Sequence, residues 1–239
     1  MSNSTIPVLL CGGMGTRLRP ALKDLPKPLA PVLGRPFLAY LLDQLLEAGF
    51  TRAVLSTGYK REILSDMIGS ELNGISIQYV EETSPLGTGG ALKSVMDQVE
   101  AEEYLVMNGD SYLGLPFPEF LEFPANQFQA LLALAKVEDC GRYGTVSTNA
   151  TATIQRFEEK KGIPKSGEIN AGIYRIQSSM RKYFPRQEAF SLERDIFEPL
   201  SKTALLGGIS YKAPFIDIGT PESLKAASTF FRQAGYTDA

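Results

Sequence analysis

Through the first half of the chain, short continuous apolar runs alternate with stretches in which apolar residues recur every three to four positions. Ile6 to Leu10, Ala53 to Thr57, Ile75 to Val80 and Tyr104 to Met107 have the length and composition of buried strands. Pro36 opens a segment with Phe37, Tyr40, Leu41, Leu45 and Ala48 on one face, ending at Gly49, so a helix is expected with Pro at its start and Gly at its stop. Lys60 to Ile68 and Ala91 to Val99 read as two further helices. This alternation predicts βα units and an α/β fold built on a mostly parallel sheet. The second half is less regular. Its β-like runs fall at Ala130 to Val137, Gly144 to Ser147, Ile154 to Phe157 and Ile169 to Ile176, with helical signals at Leu192 to Leu200 and Pro221 to Phe231. That mixture predicts sheet extensions plus a small lid. Asn149-Ala150 and Lys160 to Gly167 read as exposed turns, and without an internal repeat or composition break residues 1–239 read as one domain.

Composition sharpens this by exclusion. The 239 residues are 44% apolar and 21% charged, which argues against a disordered, collagenous or coiled-coil chain. Lys and Arg total 24 against 27 Asp and Glu, a net charge of −3 with no long basic run. A nucleic-acid partner is therefore not expected, and a polyanionic substrate has to be met locally. The chain has no His and only two cysteines, Cys11 and Cys140. Zinc hydrolysis, Ser-His-Asp chemistry and His general bases are excluded. The apolar run Ile6 to Cys11 is too short for a signal segment, and no later one reaches the roughly 18 residues of a membrane span. A cytoplasmic protein with no membrane partner is the expectation.

Candidate chemistry concentrates after the first strand. In Leu10-Cys11-Gly12-Gly13-Met14-Gly15-Thr16-Arg17-Leu18, glycines permit positive φ and let backbone N–H groups approach an anion, as a triphosphate cradle requires. Arg17 and the Lys27 of Pro26-Lys27-Pro28 add fixed positive charge; a tight turn with solvated basic residues is the bland alternative. The spacing matches neither GxxxxGK[ST] nor GxGxxG, which disfavours P-loop hydrolysis and standard dinucleotide binding. Asp110 follows Asn108-Gly109 at the C-terminal end of an expected strand, where α/β sheets place ligands and a carboxylate can hold Mg²⁺ against phosphate oxygens. A buried capping Asp is the competing role. Asp217, after Phe215-Ile216, can supply a second carboxylate, while Thr220 and Pro221 read as the N-cap and first residue of a helix. Pro85-Leu86-Gly87-Thr88-Gly89-Gly90-Ala91 sets glycines at a helix start, where backbone atoms can read a base edge and small side chains leave it room.

These segments, taken in order with Tyr143-Gly144, Phe157-Glu158-Glu159-Lys160, Asn170-Ala171-Gly172-Ile173-Tyr174 and Asp217-Ile218-Gly219-Thr220-Pro221, resemble the signature of the sugar-1-phosphate nucleotidyltransferases over nearly the whole chain. Any one motif is weak; seven in family order make coincidence improbable. The resemblance implies a Rossmann-like mixed sheet of the nucleotide-diphospho-sugar transferase type, with the lid on the sugar side. It also implies an enzyme that joins a nucleoside triphosphate to a sugar 1-phosphate and releases pyrophosphate. Nucleotide contacts are implied for Leu10, Gly12, Gly13, Gly15, Thr16, Arg17 and Asn108, with Gly87 and Thr88 at the base. Sugar-phosphate contacts are implied for Gly144, Glu159, Lys160 and Asn170, Mg²⁺ for Asp110 and Asp217, and catalytic charge for Arg17 and Lys27. A solvated charge run is the alternative for Glu158 to Lys161. The reaction would be in-line attack of a sugar-phosphate oxygen on the α-phosphorus. It needs no general base, which the lack of His suits.

Within the family, Lys27 to Val32, Arg35 to Tyr40 and Phe190-Ser191-Leu192-Glu193 look most like guanylyltransferases acting on D-glycero-D-manno-heptose 1-phosphate, and so point to GTP. The length, too short for a catalytic domain plus a hexapeptide-repeat β-helix, agrees. Relatives on the same scaffold transfer uridylyl groups to N-acetylmuramate 1-phosphate, guanylyl groups to mannose 1-phosphate or thymidylyl groups to glucose 1-phosphate. A reading of a different class is a non-catalytic nucleotide-sugar sensor, which loss of Arg17, Lys27, Asp110 or Asp217 would favour; all four are present. Phe230-Phe231 is a candidate homo-oligomer contact, in competition with a place in the core.

Overall fold

The first apolar run forms strand β1 (Thr5–Leu10), whose four interior residues are buried, as in a strand covered on both faces. The computed structural model describes residues 5–18, 21–22, 25–158 and 165–238. A one-turn 3₁₀ helix (Lys27–Leu29), the two-residue strands β2 (Pro31–Val32) and β3 (Arg35–Pro36), and helix α1 (Phe37–Glu47) come next. The alternation continues through β4 (Arg52–Thr57), α2 (Arg61–Ile68), β5 (Glu71–Leu72), β6 (Ile75–Glu81), α3 (Gly87–Gln98) and β7 (Glu103–Asn108). Then follow β8 (Ser111–Leu113), α4 (Phe117–Glu122), β9 (Ala130–Val137), β10 (Thr145–Thr148), β11 (Ile154–Glu158) and the long β12 (Gly167–Gln177). A π-helix (Leu192–Phe197) runs into α5 (Glu198–Leu200), before β13 (Leu206–Tyr211), β14 (Phe215–Asp217) and α6 (Pro221–Gln233).

Strands β7, β1, β4 and β6 lie side by side and parallel, as the alternation predicts. β12 runs antiparallel beside β7 and carries the second half of the chain onto the same sheet, pairing β9 along one edge and β10 beyond the end of β7. With β13, β11 and β5 the result is one mixed sheet of ten strands. Successive side chains alternate between two apolar layers, as a pleated strand requires. Leu9, Leu55, Leu105 and Ala133 face α1, α2, α4 and α6, while Val8, Val54, Val106 and Leu132 face α3 and the π-helix. Phe231 is fully buried against Tyr40, Tyr112 and Tyr236, so it belongs to the core and not to an oligomer contact. No helix among the described residues is long and apolar enough to cross a membrane.

Three local expectations are corrected. Pro36 does not open α1 from within. It pairs with Pro31 in the small β2–β3 hairpin, where its missing N–H costs no ladder bond, and serves as the N-cap. Helix α3 begins at Gly87, not Ala91, so the glycines form its first turn. β13 was not anticipated: Gly207-Gly208 interrupts its apolar pattern, and the Phe128 ring lies where a Cβ on Gly207 would sit.

Candidate functional site

The C-terminal ends of β1 and β7 meet at one crevice, the usual ligand position in an open α/β sheet. Gly15 turns the loop after β1 with φ 55°, and its backbone rests on the Lys27 stem, where a Cβ would stand 3.3 Å from Lys27 Cβ. Pro26 and Pro28 bracket Lys27 in the 3₁₀ turn, closed by Leu29 N–H donating to Pro26 O at 2.9 Å. The lysine is thereby aimed from a stiff support. Arg17 and Lys27 converge: Arg17 Nη2 and Lys27 Nζ each lie 3.6 Å from the position a Cβ on Gly219 would take. They line a cavity of about 240 Å³ together with Gly13, Gly15, Thr16 and Asp110. Backbone N–H groups and two cations on one concavity form an anion cradle.

Asp110 and Asp217 are brought together by the paired strands β8 and β14, in which Asp217 stands opposite Ser111 and Ile218 N–H donates to Asp110 O at 2.9 Å. Lys27 forms an ion pair with Asp110, and Ser111 Oγ donates to it at 2.9 Å. Burial pushes the Asp110 carboxyl up, but Lys27, Ser111 and Arg17 outweigh this and hold it below the usual carboxylate range. Asp217 accepts from Gly219 N–H at 2.8 Å, from Arg142 at 2.9 Å and from the Tyr143 hydroxyl. Burial and the Asp217 carboxylate together drive the Tyr143 hydroxyl well above its ordinary value, so it stays a donor. The donor set suits Mg²⁺: two hard carboxylates and no cluster of three acidic, Cys or His ligands among the described residues, which leaves further positions to phosphate oxygens and water.

A second cavity, of about 290 Å³, adjoins the first and shares Leu10, Gly13 and Asp110 with it. Its walls include Gly12, Glu82, Pro85, Gly87, Thr88 and Asn108. Glu82 Oε1 accepts from Ser56 Oγ at 3.0 Å and Oε2 from Leu86 N–H at 3.4 Å. Gly12 makes room for it, because a Cβ there would fall 2.1 Å from Glu82 Oε1 and force the carboxyl to move. Burial pushes the Glu82 carboxyl up against the pull of those two hydrogen bonds. The Gly87–Gly90 turn departs from expectation in what its glycines make room for. A Cβ on Gly87 would meet Phe190 O at 2.6 Å, one on Gly89 the Phe190 ring at 2.2 Å, and one on Gly90 Glu188 O at 2.2 Å. The small residues admit this strap, whose Phe190 carbonyl takes the Gly89 N–H at 2.9 Å.

On the other flank, β12 changes register between Asn170 and Ile173, at the point where it leaves β7 for β10. Gly172 takes φ 79° there and its N–H donates to Asn170 Oδ1 at 3.0 Å, fixing the Asn170 amide. Gly144 O accepts the Asn170 N–H at 3.4 Å, so these two sugar-side candidates meet. Asn108 packs beneath Gly172, where a Cβ would come 2.8 Å from its Nδ2, and its buried Oδ1 has no partner among the described residues. Glu159 and Lys160 lie outside the described residues. Sequence reasoning missed Glu82, Arg142, Glu193 and Tyr143 as a side chain of the site. The only available signal for Glu82 was a carboxylate at the end of β6, one strand beyond β4, at the same sheet edge as Asp110.

A family model described as nucleotidyl transferase matches residues 6–234. The D-glycero-alpha-D-manno-heptose 1-phosphate guanylyltransferase of Campylobacter jejuni subsp. jejuni is 38% identical over 215 residues, 90% of this chain and 95% of that protein. The protein of the same description from Aneurinibacillus thermoaerophilus is 37% identical over 92% of this chain and 95% of its own. Among solved structures, HddC from Yersinia pseudotuberculosis is 33% identical with a TM-score of 0.83, covering 95% of this chain and 99% of that one. HddC has also been solved complexed with GMP-PN.

Proposed function

The chain belongs to the nucleotidyl transferase family, and from that membership we propose that it transfers a guanylyl group from GTP to D-glycero-α-D-manno-heptose 1-phosphate. The observation that carries the choice of base is Glu82. A carboxylate accepts hydrogen bonds and donates none. Of the standard bases only guanine offers two adjacent donors on its pairing edge, N1–H and N2–H₂, whereas uracil and thymine flank one donor with two acceptors. Each Glu82 oxygen accepts one hydrogen bond from the protein and keeps a lone pair for the ligand. The heptose as acceptor rests on the two guanylyltransferases to which the chain is 38% and 37% identical.

In this reading the base occupies the cavity at Glu82 and the triphosphate lies over the Gly12–Thr16 loop, its charge met by Arg17 and Lys27. Gly144 and Asn170 hold the sugar phosphate for in-line displacement of pyrophosphate at the α-phosphorus, and the family signature gives Glu159 and Lys160 the same role. Mg²⁺ held by Asp110 and Asp217 would supply further neutralisation of the phosphate oxygens. A phosphate monoester is already a competent nucleophile, so the chain's own groups position and neutralise and no proton has to be removed.

The test is pyrophosphate release with Mg²⁺ over a grid of GTP, UTP, dTTP, CTP and ATP against heptose, mannose, glucose and N-acetylmuramate 1-phosphates, with Asp110→Ala as control. Turnover confined to GTP and the heptose phosphate, and lost in the control, is expected. Turnover with another sugar would discard the acceptor and keep the chemistry. Binding of a nucleotide sugar with no turnover anywhere would make the protein a sensor.

A further inference from the structure

Behind the two substrate flanks runs a hydrogen-bonded chain that the reaction itself does not use. The Glu193 carboxylate, on the π-helix, accepts from Thr88 Oγ1 at 2.7 Å and Ser191 Oγ at 2.7 Å through one oxygen, and from Tyr174 OH at 3.3 Å through the other. Thr88 Oγ1 in turn accepts from Leu192 N–H at 2.9 Å, and its own proton is spent on Glu193. Tyr174 OH accepts from Asn170 Nδ2 at 2.8 Å, and the Tyr174 ring is fully buried. Among the described residues Glu193 makes no ion pair, and three hydroxyls satisfy its charge instead. A carboxylate set so, on a helix form that concentrates at functional sites, is a costly feature for an ordinary surface turn.

We propose that Glu193 is a positioning residue that fixes the base loop and the sugar-side amide against each other, so that the two substrates are aligned by one carboxylate. Through Thr88 it holds the first turn of α3, which the Phe190 carbonyl already fastens from above. Through Tyr174 it orients Asn170 at the irregularity of β12. Glutamine cannot replace it in either orientation. An amide nitrogen facing Thr88 and Ser191 takes away the acceptor of both their protons, and one facing Tyr174 takes away the acceptor of the phenol proton. The inference rests on the assignment of Gly87–Thr88 to the nucleotide and Asn170 to the sugar phosphate.

The experiment compares Glu193→Gln, Thr88→Val, Asn170→Ala and the double variant Thr88→Val/Glu193→Gln in pyrophosphate release, with KM measured for each substrate. Thr88→Val is expected to raise the GTP KM alone and Asn170→Ala the sugar-phosphate KM alone, while Glu193→Gln raises both, by about ten-fold each. The double variant should raise the GTP KM by less than the two single effects combined, because both changes bear on the same bond. Hydrogen exchange without substrate supplies a readout independent of turnover: Glu193→Gln should accelerate exchange in residues 87–92 and 170–174 together. Faster exchange in both segments with no turnover by the parent protein would keep the relay and discard the substrate assignment. Both KM values and both exchange rates unchanged, with only Tm lowered, would overturn the proposal.

Discussion

The two ends of the crevice handle negative charge in opposite ways. At the phosphate end Asp110 and Asp217 stand among Lys27, Arg17 and Arg142, and each carboxylate is paired with a cation. At the base end Glu82 and Glu193 make no ion pair among the described residues and accept only from hydroxyls and a backbone N–H. Paired charge neutralises and hydrogen bonds to unpaired carboxylates select. In the function proposed the first end serves reactivity and the second recognition, so substitutions at the two should separate into kcat and KM effects.

The largest expected effect belongs to the phosphate end. Arg17→Ala should lower kcat about 100- to 1,000-fold, the typical loss when one preorganised donor to a developing charge is removed, with a much smaller change in KM. Steady-state kinetics with GTP and the sugar phosphate decide it, and a change confined to KM would reassign Arg17 to ground-state binding. Next is Glu82→Gln. The amide trades one acceptor for a donor, losing one of guanine's two hydrogen bonds while matching the donor and acceptor of uracil. The ratio of kcat/KM for GTP over UTP should fall about 10- to 100-fold at little cost in kcat. A kcat loss with unchanged base preference would contradict the division between the two ends.

Glycines offer a comparison through stability. Nothing lies within 4 Å of a Cβ on Gly13, whereas one on Gly90 would meet backbone Glu188 O at 2.2 Å. Gly90→Ala should therefore cost about 1–3 kcal/mol, or several degrees in Tm, while Gly13→Ala costs under about 0.5 kcal/mol and acts on the GTP KM, since its Cβ enters the phosphate cavity. Thermal melts of the two variants beside their kinetics test this pair.

The same contrast governs what could be read in advance. The βα alternation of the N-terminal half was legible because each buried strand is a continuous apolar run, and Arg17, Lys27 and Asp110 were legible because each sits in a short local motif, Arg17 and Asp110 in the loops that follow such strands. Glu82 and Glu193 were not. Their meaning comes from partners such as Ser56 and Tyr174, set beside them only by the sheet and the strap at Phe190. The glycines of α3 show a mixed case: their need for space was readable, but what fills it is a distant backbone segment. β13 and the short β8–β14 pair were missed for the same reason, since their residues are strands by virtue of a neighbour and not of their own pattern.

The smallest expected effect is a pH dependence confined to the base end. Burial raises the Glu82 carboxyl above its ordinary value of 4.5, so the folded chain holds that proton more tightly than the unfolded one. The sign follows. The stability Glu82 contributes is fully present below pH 4.5 and is lost as pH rises through the raised folded value, where the buried group must ionise. Guanine recognition runs the other way, because only the ionised form accepts from both N1–H and N2–H₂. As pH falls through the raised value the GTP KM should climb several-fold, beginning above pH 4.5, over and above the change that protonation of the phosphates brings to both substrates. Glu82→Gln, which cannot titrate, should remove that excess and leave only the change the phosphates bring. KM for GTP measured against pH in both proteins decides the matter, and an identical climb in the variant would assign it to the phosphates and not to Glu82.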